Sequence, residues 1–389
     1  MPVPTGNRAS QPHLTETSLP FPPLTEQHIL NCTFSSWYNN FRRVSIKSKI
    51  IKPLPEEFVE YLHADGVFLP EQNYLEGSHL REISDNDDDD FNANETDIDE
   101  DDENQPLPSF PDLEQQIWDI IDEFDGSVFP KLNWSSPRDA TWISATNTLK
   151  CNSPSDIFLL LKSSDFIAHD LDHAFDDCYY DNQSDSRRHR PNEFELVLRK
   201  WYDVAPSMEF RCFVKEEELV DTQTHFQLLI YFHNCPLKIQ AISQRDVNYY
   251  SFLNDIKEEL ETKIIQFFET HVQNKFFNRD YVFDVYVTRN RERVWLIDFN
   301  PFGPMTDGLM YTWEEILTAT GPPSFRLITS QTEASQSRSR PFAVNRYPRE
   351  IFDLSQGQTI AEFAEQFQRE LAIAVSSSDE EENDNEDNV

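Results

Sequence analysis

Two aspartates lie in neighbouring segments, VFDVYV and LIDFN, that each read as a strand. If the charged turn between them is centred on Arg291, Asp284 lies directly opposite Asp298, and Asn300 lies on the same face as Asp298. Two carboxylates and an amide oxygen among apolar residues are ligands for a hard divalent cation. Magnesium held by few protein ligands commonly takes its remaining ligands from phosphates and water. The pattern therefore predicts a magnesium site on this hairpin.

The alternatives for this aspartate pair are structural. Both residues could be edge-strand charges that face solvent, or the register could slip by one residue and separate them. With the predicted register and no metal, the carboxylates of Asp284 and Asp298 would repel each other. We would then expect replacement of one by asparagine to stabilise the metal-free protein.

A second candidate site lies in residues 129–139, FPKLNWSSPRD. Lys131 is flanked by apolar residues, and a Ser/Pro turn with a further base, Arg138, follows it. An ammonium group and backbone N–H groups in this arrangement can bind phosphates. A lysine at a strand end that only extends its ammonium toward water would give the same pattern.

Basic residues also lie within or beside apolar strands. Arg199 and Lys200 end one predicted strand before Trp201, Arg211 lies in the next strand, and Arg245 follows a third. Burial of a cation is unfavourable unless it meets an anion. Together with the candidate metal pair, these residues favour a site for a nucleoside triphosphate.

Two further groups carry weaker signals. Trp37, Tyr38 and Phe41 place three aromatic residues within five positions. Core packing is the commoner explanation of such a group, but near a Pro-rich segment a partner-binding surface explains it about equally well, and we predict that surface. His169 and His173 have the spacing of two metal ligands on one helix face, but no glutamate follows the first histidine. We expect that pair to lie on a solvated helix face.

Negative charge is concentrated in two segments of this 389-residue chain. The formal net charge is −37, and residues 84–104 hold twelve carboxylates without a base, as residues 376–389 hold seven. The remainder is moderately acidic, which argues against direct binding of nucleic acid. With only 8 glycines, we find neither a Walker loop nor a G-x-G-x-x-G motif.

The cysteines and the apolar segments indicate the cellular compartment of the protein. The five cysteines form no C-x-x-C pair, so neither a disulfide framework nor a cysteine-bound zinc is predicted. No apolar run reaches the ~18–20 residues of a membrane span. We therefore expect a soluble cytoplasmic protein that has no membrane partner.

Periodicity predicts the elements that position the candidate residues. An N-cap at Asp112 with Gly126 as the stop, and a Ser-Pro start at 153–154, each indicate a helix. Further helices are predicted at residues 55–64, 256–272 and 360–371, and strands at residues 194–198, 210–214, 228–232, 239–242, 281–288 and 293–299. Strands interleaved with helices indicate an α+β class, and the long crossover helix favours a mixed sheet.

Several of these segments resemble the cell division cycle protein 123 family, from about residue 30 to residue 355. The segments are FSSWY at 34–38, KLNWS at 131–135, ELVLRKW at 195–201, EFRCFV at 209–214, ISQRD at 242–246 and WLIDFNPFG at 295–303. The resemblance implies an ATP-grasp fold whose two lobes enclose a cleft for ATP and Mg²⁺. It also implies an assembly chaperone for eukaryotic translation initiation factor 2 that acts on the gamma subunit so that alpha and beta can join.

Carried over by position, the resemblance assigns Asp284, Asp298 and Asn300 as magnesium ligands. Lys131 matches the phosphate-binding lysine, and Arg199, Lys200 and Trp201 resemble the hinge that lines the adenine. The other residues assigned to the nucleotide are Asn133, Trp134, Ser135, Glu209, Arg211 and Arg245.

The implied organisation has two lobes and several flanking segments. It consists of a disordered lead (1–24), an N-terminal lobe (25–83 and 105–190) with an acidic disordered insertion (84–104), an ATP-grasp C-terminal lobe (191–321), a linker (322–341), a C-terminal segment with a helix (342–375) and an acidic tail (376–389). We expect a monomer.

Two functions remain open at this stage. The first is a non-catalytic, ATP-dependent assembly chaperone. The second is an ATP-grasp ligase or kinase that activates a carboxylate or hydroxyl acceptor, since the fold alone does not separate the two. The sequence offers no convincing acceptor site beyond the ATP residues, which favours the chaperone.

Overall fold

A computed structural model describes residues 21–64, 66, 70, 108–144, 146–180, 188–215, 238–319 and 321–338. Within these residues the chain forms a three-stranded and a five-stranded sheet together with helices, which confirms the α+β class. The helices are α1 Glu26–Asn31, α2 Phe34–Phe41, α3 Glu56–His63, α4 Pro111–Glu123, α5 Pro154–Lys162, α6 Asp165–Asp172, α7 Phe252–Phe267, α8 Trp313–Thr318 and α9 Gln331–Arg338.

The smaller sheet is antiparallel, with the strand order β1-β3-β2. Its strands are β1 Ser48–Ile51, β2 Val128–Lys131 and β3 Leu196–Lys200. Side chains alternate between the faces of a strand, so Leu196 and Leu198 pack in the core formed with α3, α4 and α5, whereas Val197 packs in the core of the larger sheet. Arg199 shares the face of Val197.

The larger sheet has the order β7-β6-β4-β5-β8 and is antiparallel except where β5 pairs with β8. Its strands are β4 Glu209–Lys215, β5 Lys238–Gln244, β6 Tyr281–Val287, β7 Val294–Pro301 and β8 Ser324–Arg326. Helix α7 connects β5 to β6 and buries Leu253, Leu260 and Ile264 in the core of this sheet. The mixed sheet that the crossover helix favoured is confirmed.

Local signals placed most helix ends correctly. Ser153 and Asp156 form a capping box at the start of α5, with Pro154 in the first turn. Helix α4 ends before Gly126, whose φ of 84° is the left-handed conformation that glycine adopts most easily. Its start was predicted wrongly at Asp112, because the helix begins at Pro111, with Phe110 in the N-cap position.

Two predicted boundaries do not coincide with the observed elements. Strand β3 was placed in the C-terminal lobe of residues 191–321, but it is the central strand of the smaller sheet. Residues 322–341 were predicted to be a linker, yet they contain β8 and α9, and Phe325 and Ala334 are buried. A three-residue strand in a Ser/Gln-rich segment has too little periodicity to be recognised.

Several predicted elements cannot be compared. Strand 228–232, helix 360–371, the acidic segments 84–104 and 376–389, and residues 1–20 of the lead lie outside the described residues. Among the helices that are described, none has both the length and the apolar character that crossing a membrane requires.

The aromatic residues of α2 lie in the core of the larger sheet. Trp37, Tyr38 and Phe41 are 0%, 4% and 3% exposed, and the ring of Trp37 packs edge-on against Phe34 and Phe299 at 4.6 and 5.3 Å between centroids. The prediction of a partner-binding surface is therefore wrong for these three residues. A partner cannot contact side chains that the core already covers.

We expect Trp37→Ala to lower the free energy of unfolding by about 3–5 kcal/mol, because it opens a cavity in a packed core. Trp142→Ala is the control, since Trp142 is 42% exposed, and it should change stability much less. Urea denaturation at neutral pH measures both. Similar effects of the two substitutions would contradict the core position of Trp37.

Candidate functional site

Eight charged side chains meet where the two sheets face each other, and we call them the charged cluster. They are Lys131, Arg138, Arg199, Glu209, Arg211, Arg245, Asp284 and Asp298. Lys131 and Arg199 come from the smaller sheet, and Arg138 follows it in a loop. The larger sheet or its strand ends supply the others.

Asp284 is the most enclosed carboxylate of the charged cluster. Arg211 is its cross-strand neighbour and donates from Nε and Nη2 to both carboxylate oxygens, at 2.8 and 2.9 Å, while Nε of Arg245 lies 3.3 Å from Oδ2. Burial by itself raises the pKa of Asp284. The guanidiniums of Arg211 and Arg245 outweigh burial and hold that pKa well below its usual range.

Glu209 links two further arginines. Its Oε2 accepts from Arg245 Nη1 at 2.7 Å and from Arg138 Nη2 at 3.4 Å. Burial raises the pKa of Glu209, but the two guanidiniums lower it further than burial raises it. Burial would also lower the pKa of Arg245, and the charges of Asp284 and Glu209 reverse that effect and raise it. The acids and bases of this part of the cluster therefore stay ionised.

Lys131 joins the two sheets. Its ammonium donates to Oδ2 of Asp298 at 2.6 Å and also contacts the main-chain oxygen of Trp134. Lys131 is 0% exposed. The alternative of a lysine that only extends toward water is therefore excluded.

Arg199 is buried without a full set of hydrogen bonds. Its guanidinium lies between the rings of Phe34 and Phe129, 5.4 and 5.2 Å from their centroids, and only 2% of the residue is exposed. Nε and Nη2 have no acceptor among the described residues. Burial lowers the pKa of Arg199 to about 10, and the charge of Asp298 partly opposes this shift. Buried donors without an acceptor are rare in folded proteins, so this position is suited to an anionic ligand.

The three predicted metal ligands lie together. Asp284 and Asp298 are register partners, as the turn geometry predicted, and the pairing shifts by one residue just after Asp284. Asn300 donates from Nδ2 to Asp284 Oδ2 at 3.4 Å. In the described part of the chain no group of three His, Cys, Asp or Glu residues is arranged for a metal. A divalent cation here would rest on two carboxylates, one amide and ligand oxygens.

The expected repulsion within the aspartate pair is not what the structure contains. Asp284 is neutralised by Arg211 and Arg245, and Asp298 by Lys131. Replacing Asp284 by asparagine would therefore leave buried guanidiniums without their counter-charge. We therefore expect a loss of stability in place of the gain expected from the sequence.

Two other residues assigned to the nucleotide, Lys200 and Trp201, contact neighbouring side chains of the protein. Lys200 pairs with Asp125 in an exposed ion pair. Trp201 packs edge-on against Phe129 at 6.1 Å between centroids. These positions neither support nor contradict an adenine hinge, which stays a prediction.

The polar groups of the segment after Lys131 bind other parts of the chain. Asn133 Oδ1 accepts from the Glu195 N–H at 2.9 Å, and Trp134 Nε1 donates to the Ile29 carbonyl at 2.9 Å. The Ser135 hydroxyl donates to a carboxylate of α6 at 2.9 Å. Direct contact of these three side chains with a nucleotide stays a prediction.

The sequence analysis missed two residues of the site. Arg138 was noted only as a base in a turn, and its link to Glu209 connects segments 71 positions apart. Asp170 accepts a hydrogen bond from the Ser135 hydroxyl and lies between His169 and His173 in the sequence. Those histidines are not part of a metal group among the described residues, and His173 pairs with Asp176 at 2.8 Å instead.

Known proteins resemble this chain over most of its length. A family model described as D123 matches residues 37–355. A translation initiation factor eIF2 assembly protein of Emericella nidulans is 42% identical over 325 residues, which cover 83% of this chain and 72% of that protein. The Cell division cycle protein 123 of Candida glabrata is 37% identical over 369 residues, which cover 92% and 97%.

A solved structure also matches. The structure of Cdc123 from Schizosaccharomyces pombe is 36% identical in sequence, covers 78% of this chain and 98% of its own, and superposes with a TM-score of 0.57. The matched range agrees with the segments that carried the resemblance in the sequence.

We expect Asp284→Asn to lower the free energy of unfolding at pH 7 by about 3–5 kcal/mol, because it leaves two guanidiniums buried without a full counter-charge. Since the pKa of Asp284 is depressed in the folded state, its stabilisation is present above the unfolded pKa of about 4 and is lost as pH falls below it. The difference in the free energy of unfolding between wild type and variant should therefore become smaller at acidic pH.

Denaturation curves from pH 7 down to pH 3 measure this effect. Asp125→Asn is the control, because the Asp125–Lys200 pair is exposed and its loss should change stability little. A variant as stable as wild type at pH 7 would show that the arginines do not depend on Asp284.

Proposed function

This chain belongs to the D123 family, and on that premise we propose that it is an assembly factor for eukaryotic translation initiation factor 2. Its relatives bear the name translation initiation factor eIF2 assembly protein. We propose that it binds ATP and Mg²⁺ and acts as a chaperone on the gamma subunit, so that alpha and beta can join.

The unsatisfied guanidinium of Arg199 is the observation that carries the nucleotide proposal. It lies in a cluster with five cationic and three anionic side chains, so the cluster keeps a surplus of positive charge. A triphosphate has several oxygens that accept charge-assisted hydrogen bonds from such groups. The charged cluster also lies between two sheets, as expected for a cleft between the two lobes of an ATP-grasp fold.

The roles within the cluster follow from charge. Lys131, Arg199, Arg211 and Arg245 would bind phosphate oxygens, while Asp284, Asp298 and Asn300 would hold the metal. Bound Mg²⁺ would neutralise phosphate charge and fix the orientation of the chain of phosphates. Lys131 and Asp298 neutralise each other at 2.6 Å in the protein alone, and a phosphate and a cation would offer each of them a partner of opposite charge.

We favour binding over catalysis. Every carboxylate of the charged cluster is paired with a cation, so none is free to act as a general base on an acceptor. We further propose that the protein works as a monomer in the cytoplasm. Analysis of the nucleotide after long incubation separates this proposal from a ligase or kinase, which would release ADP or AMP with an acceptor product.

Calorimetric titration tests the nucleotide site. We expect ATP to bind more tightly with Mg²⁺ than without it. Lys131→Ala and Arg211→Ala should each weaken ATP binding about ten- to a hundredfold, the effect of losing one charge-assisted hydrogen bond, whereas adenosine binding should change much less.

Lys215→Ala is the matched control for this titration. Lys215 is also a strand-end lysine that donates to a carbonyl, that of Leu317 at 3.0 Å, but it lies outside the charged cluster. It should leave ATP affinity unchanged. Equal losses for ATP and adenosine in the Lys131 variant would mean that this lysine supports the fold and does not bind phosphate.

Reconstitution from purified subunits tests the partner. We expect this protein to bind isolated gamma and not isolated alpha or beta, and to accelerate formation of the heterotrimer when Mg-ATP is present. Lys131→Ala should slow that assembly, whereas Lys215→Ala should not. Retention of alpha or beta in place of gamma, measured by size-exclusion chromatography, would contradict the proposed partner.

A further inference from the structure

The turn after β2 determines what the Lys131 ammonium contacts. The turn is closed by the Leu132 N–H, which donates to the Ser135 carbonyl at 2.9 Å. It brings the Trp134 carbonyl onto the ammonium, whose other acceptor is Asp298 Oδ2 at 2.6 Å. The ammonium is thus held between a carbonyl of the turn after β2 and a carboxylate of the larger sheet.

Asp170 of α6 holds this turn from the opposite side. Its Oδ2 accepts from the N–H of Ser135 at 2.8 Å and of Trp134 at 3.3 Å, and its Oδ1 accepts from the Ser135 hydroxyl at 2.9 Å. The residue is 4% exposed. All three of these hydrogen bonds go to one turn, and that turn presents its carbonyl to Lys131.

We propose that Asp170 is a positioning residue for Lys131: it fixes the turn, the turn fixes the Trp134 carbonyl, and the carbonyl holds the ammonium where it can bind phosphate. The consequence for ATP rests on the proposed nucleotide function. The consequence for the lysine itself does not, since it concerns only contacts within this chain.

The direction in which phosphate binding changes when Asp170 is replaced distinguishes positioning of Lys131 from a simple electrostatic effect. Asp170 is an acid close enough to interact electrostatically with Lys131. If Asp170 acted only through its charge, removing it would strengthen the binding of an anionic phosphate. If it positions Lys131, removing it weakens that binding. Asparagine keeps the shape, but it offers the Ser135 and Trp134 N–H groups a neutral acceptor in place of a carboxylate, and its Nδ2 would have to donate to the Ser135 hydroxyl.

The first test needs no nucleotide. The full-length protein is treated with an amine-reactive label, and modification of Lys131 is followed by mass spectrometry. Asp170→Asn should speed modification of Lys131 about tenfold, the factor that the loss of one charge-assisted hydrogen bond allows, while the other lysines react at their wild-type rates.

Asp139→Asn is the matched control for this labelling. Asp139 is also buried, and it accepts from the Ser164 hydroxyl at 2.6 Å and from the Phe166 N–H at 3.3 Å at the start of the same helix. Its side-chain hydrogen bonds to Ser164 and Phe166 lie at the start of α6 and not at the turn or Lys131. Its substitution should leave the labelling rate of Lys131 unchanged even if it lowers the melting temperature.

The second test is a double-mutant cycle with ATP. Asp170→Asn should weaken ATP binding about tenfold in the wild-type background, with adenosine binding unchanged. In the Lys131→Ala background the same substitution should change ATP affinity less than about twofold, because a residue that acts through Lys131 has nothing left to position. A purely structural role would give additive losses.

Each outcome decides the proposal. Unchanged labelling of Lys131, tighter ATP binding, or additive losses in the cycle would overturn it. If the wild type binds no ATP, the proposed nucleotide function fails and the labelling rates alone decide the role of Asp170. If Asp170→Asn does not fold, Ser135→Ala removes one of the three hydrogen bonds and should show the same changes at smaller size in both tests.

Discussion

Charge that is buried between two sheets is the constraint on which the rest of this structure depends. Burial of a guanidinium or ammonium at such depth is costly, and an opposite charge within hydrogen-bonding distance offsets much of that cost. Strand pairing supplies one such match, since Arg211 and Asp284 are cross-strand partners. The packing of one sheet on the other supplies the second, through Lys131 and Asp298. These ion pairs therefore link β4 to β6 within the larger sheet and join the smaller sheet to β7.

The hairpin could be predicted from sequence because its information is local. The turn sets the register of the two strands next to it, where Val285 pairs with Leu296, and a one-residue shift just after Asp284 brings Asp284 opposite Asp298. The capping box of α5 was equally readable, since Ser153 and Asp156 lie three positions apart. These local signals did not identify the distant residue that each charged side chain contacts. Sequence identified charged groups in apolar strands but not which acid would meet which base.

The parts that escaped prediction depend on distant segments. Asp170 reaches the turn after β2 from a helix 35 positions further along the chain. Tryptophan is common at protein interfaces, and the sequence does not show that α2 packs on Phe299 of β7 and so buries Trp37 in the core. Strand β3 pairs with β1 and β2, and its alternation predicts a strand but not these neighbours. In each case the residue type was informative, and the tertiary partner decided its role.

Hydrogen bonds are unevenly distributed across the charged cluster. A buried ion network adds little net stability compared with apolar packing, so a network that serves the fold should at least be complete. Around Asp284 it is complete, because both oxygens and the facing guanidinium of Arg211 are paired. Around Arg199 it is not, because two buried donors have no acceptor among the described residues. The cluster thus combines fully paired donors at Arg211 with buried donors at Arg199 that have room for a further acceptor.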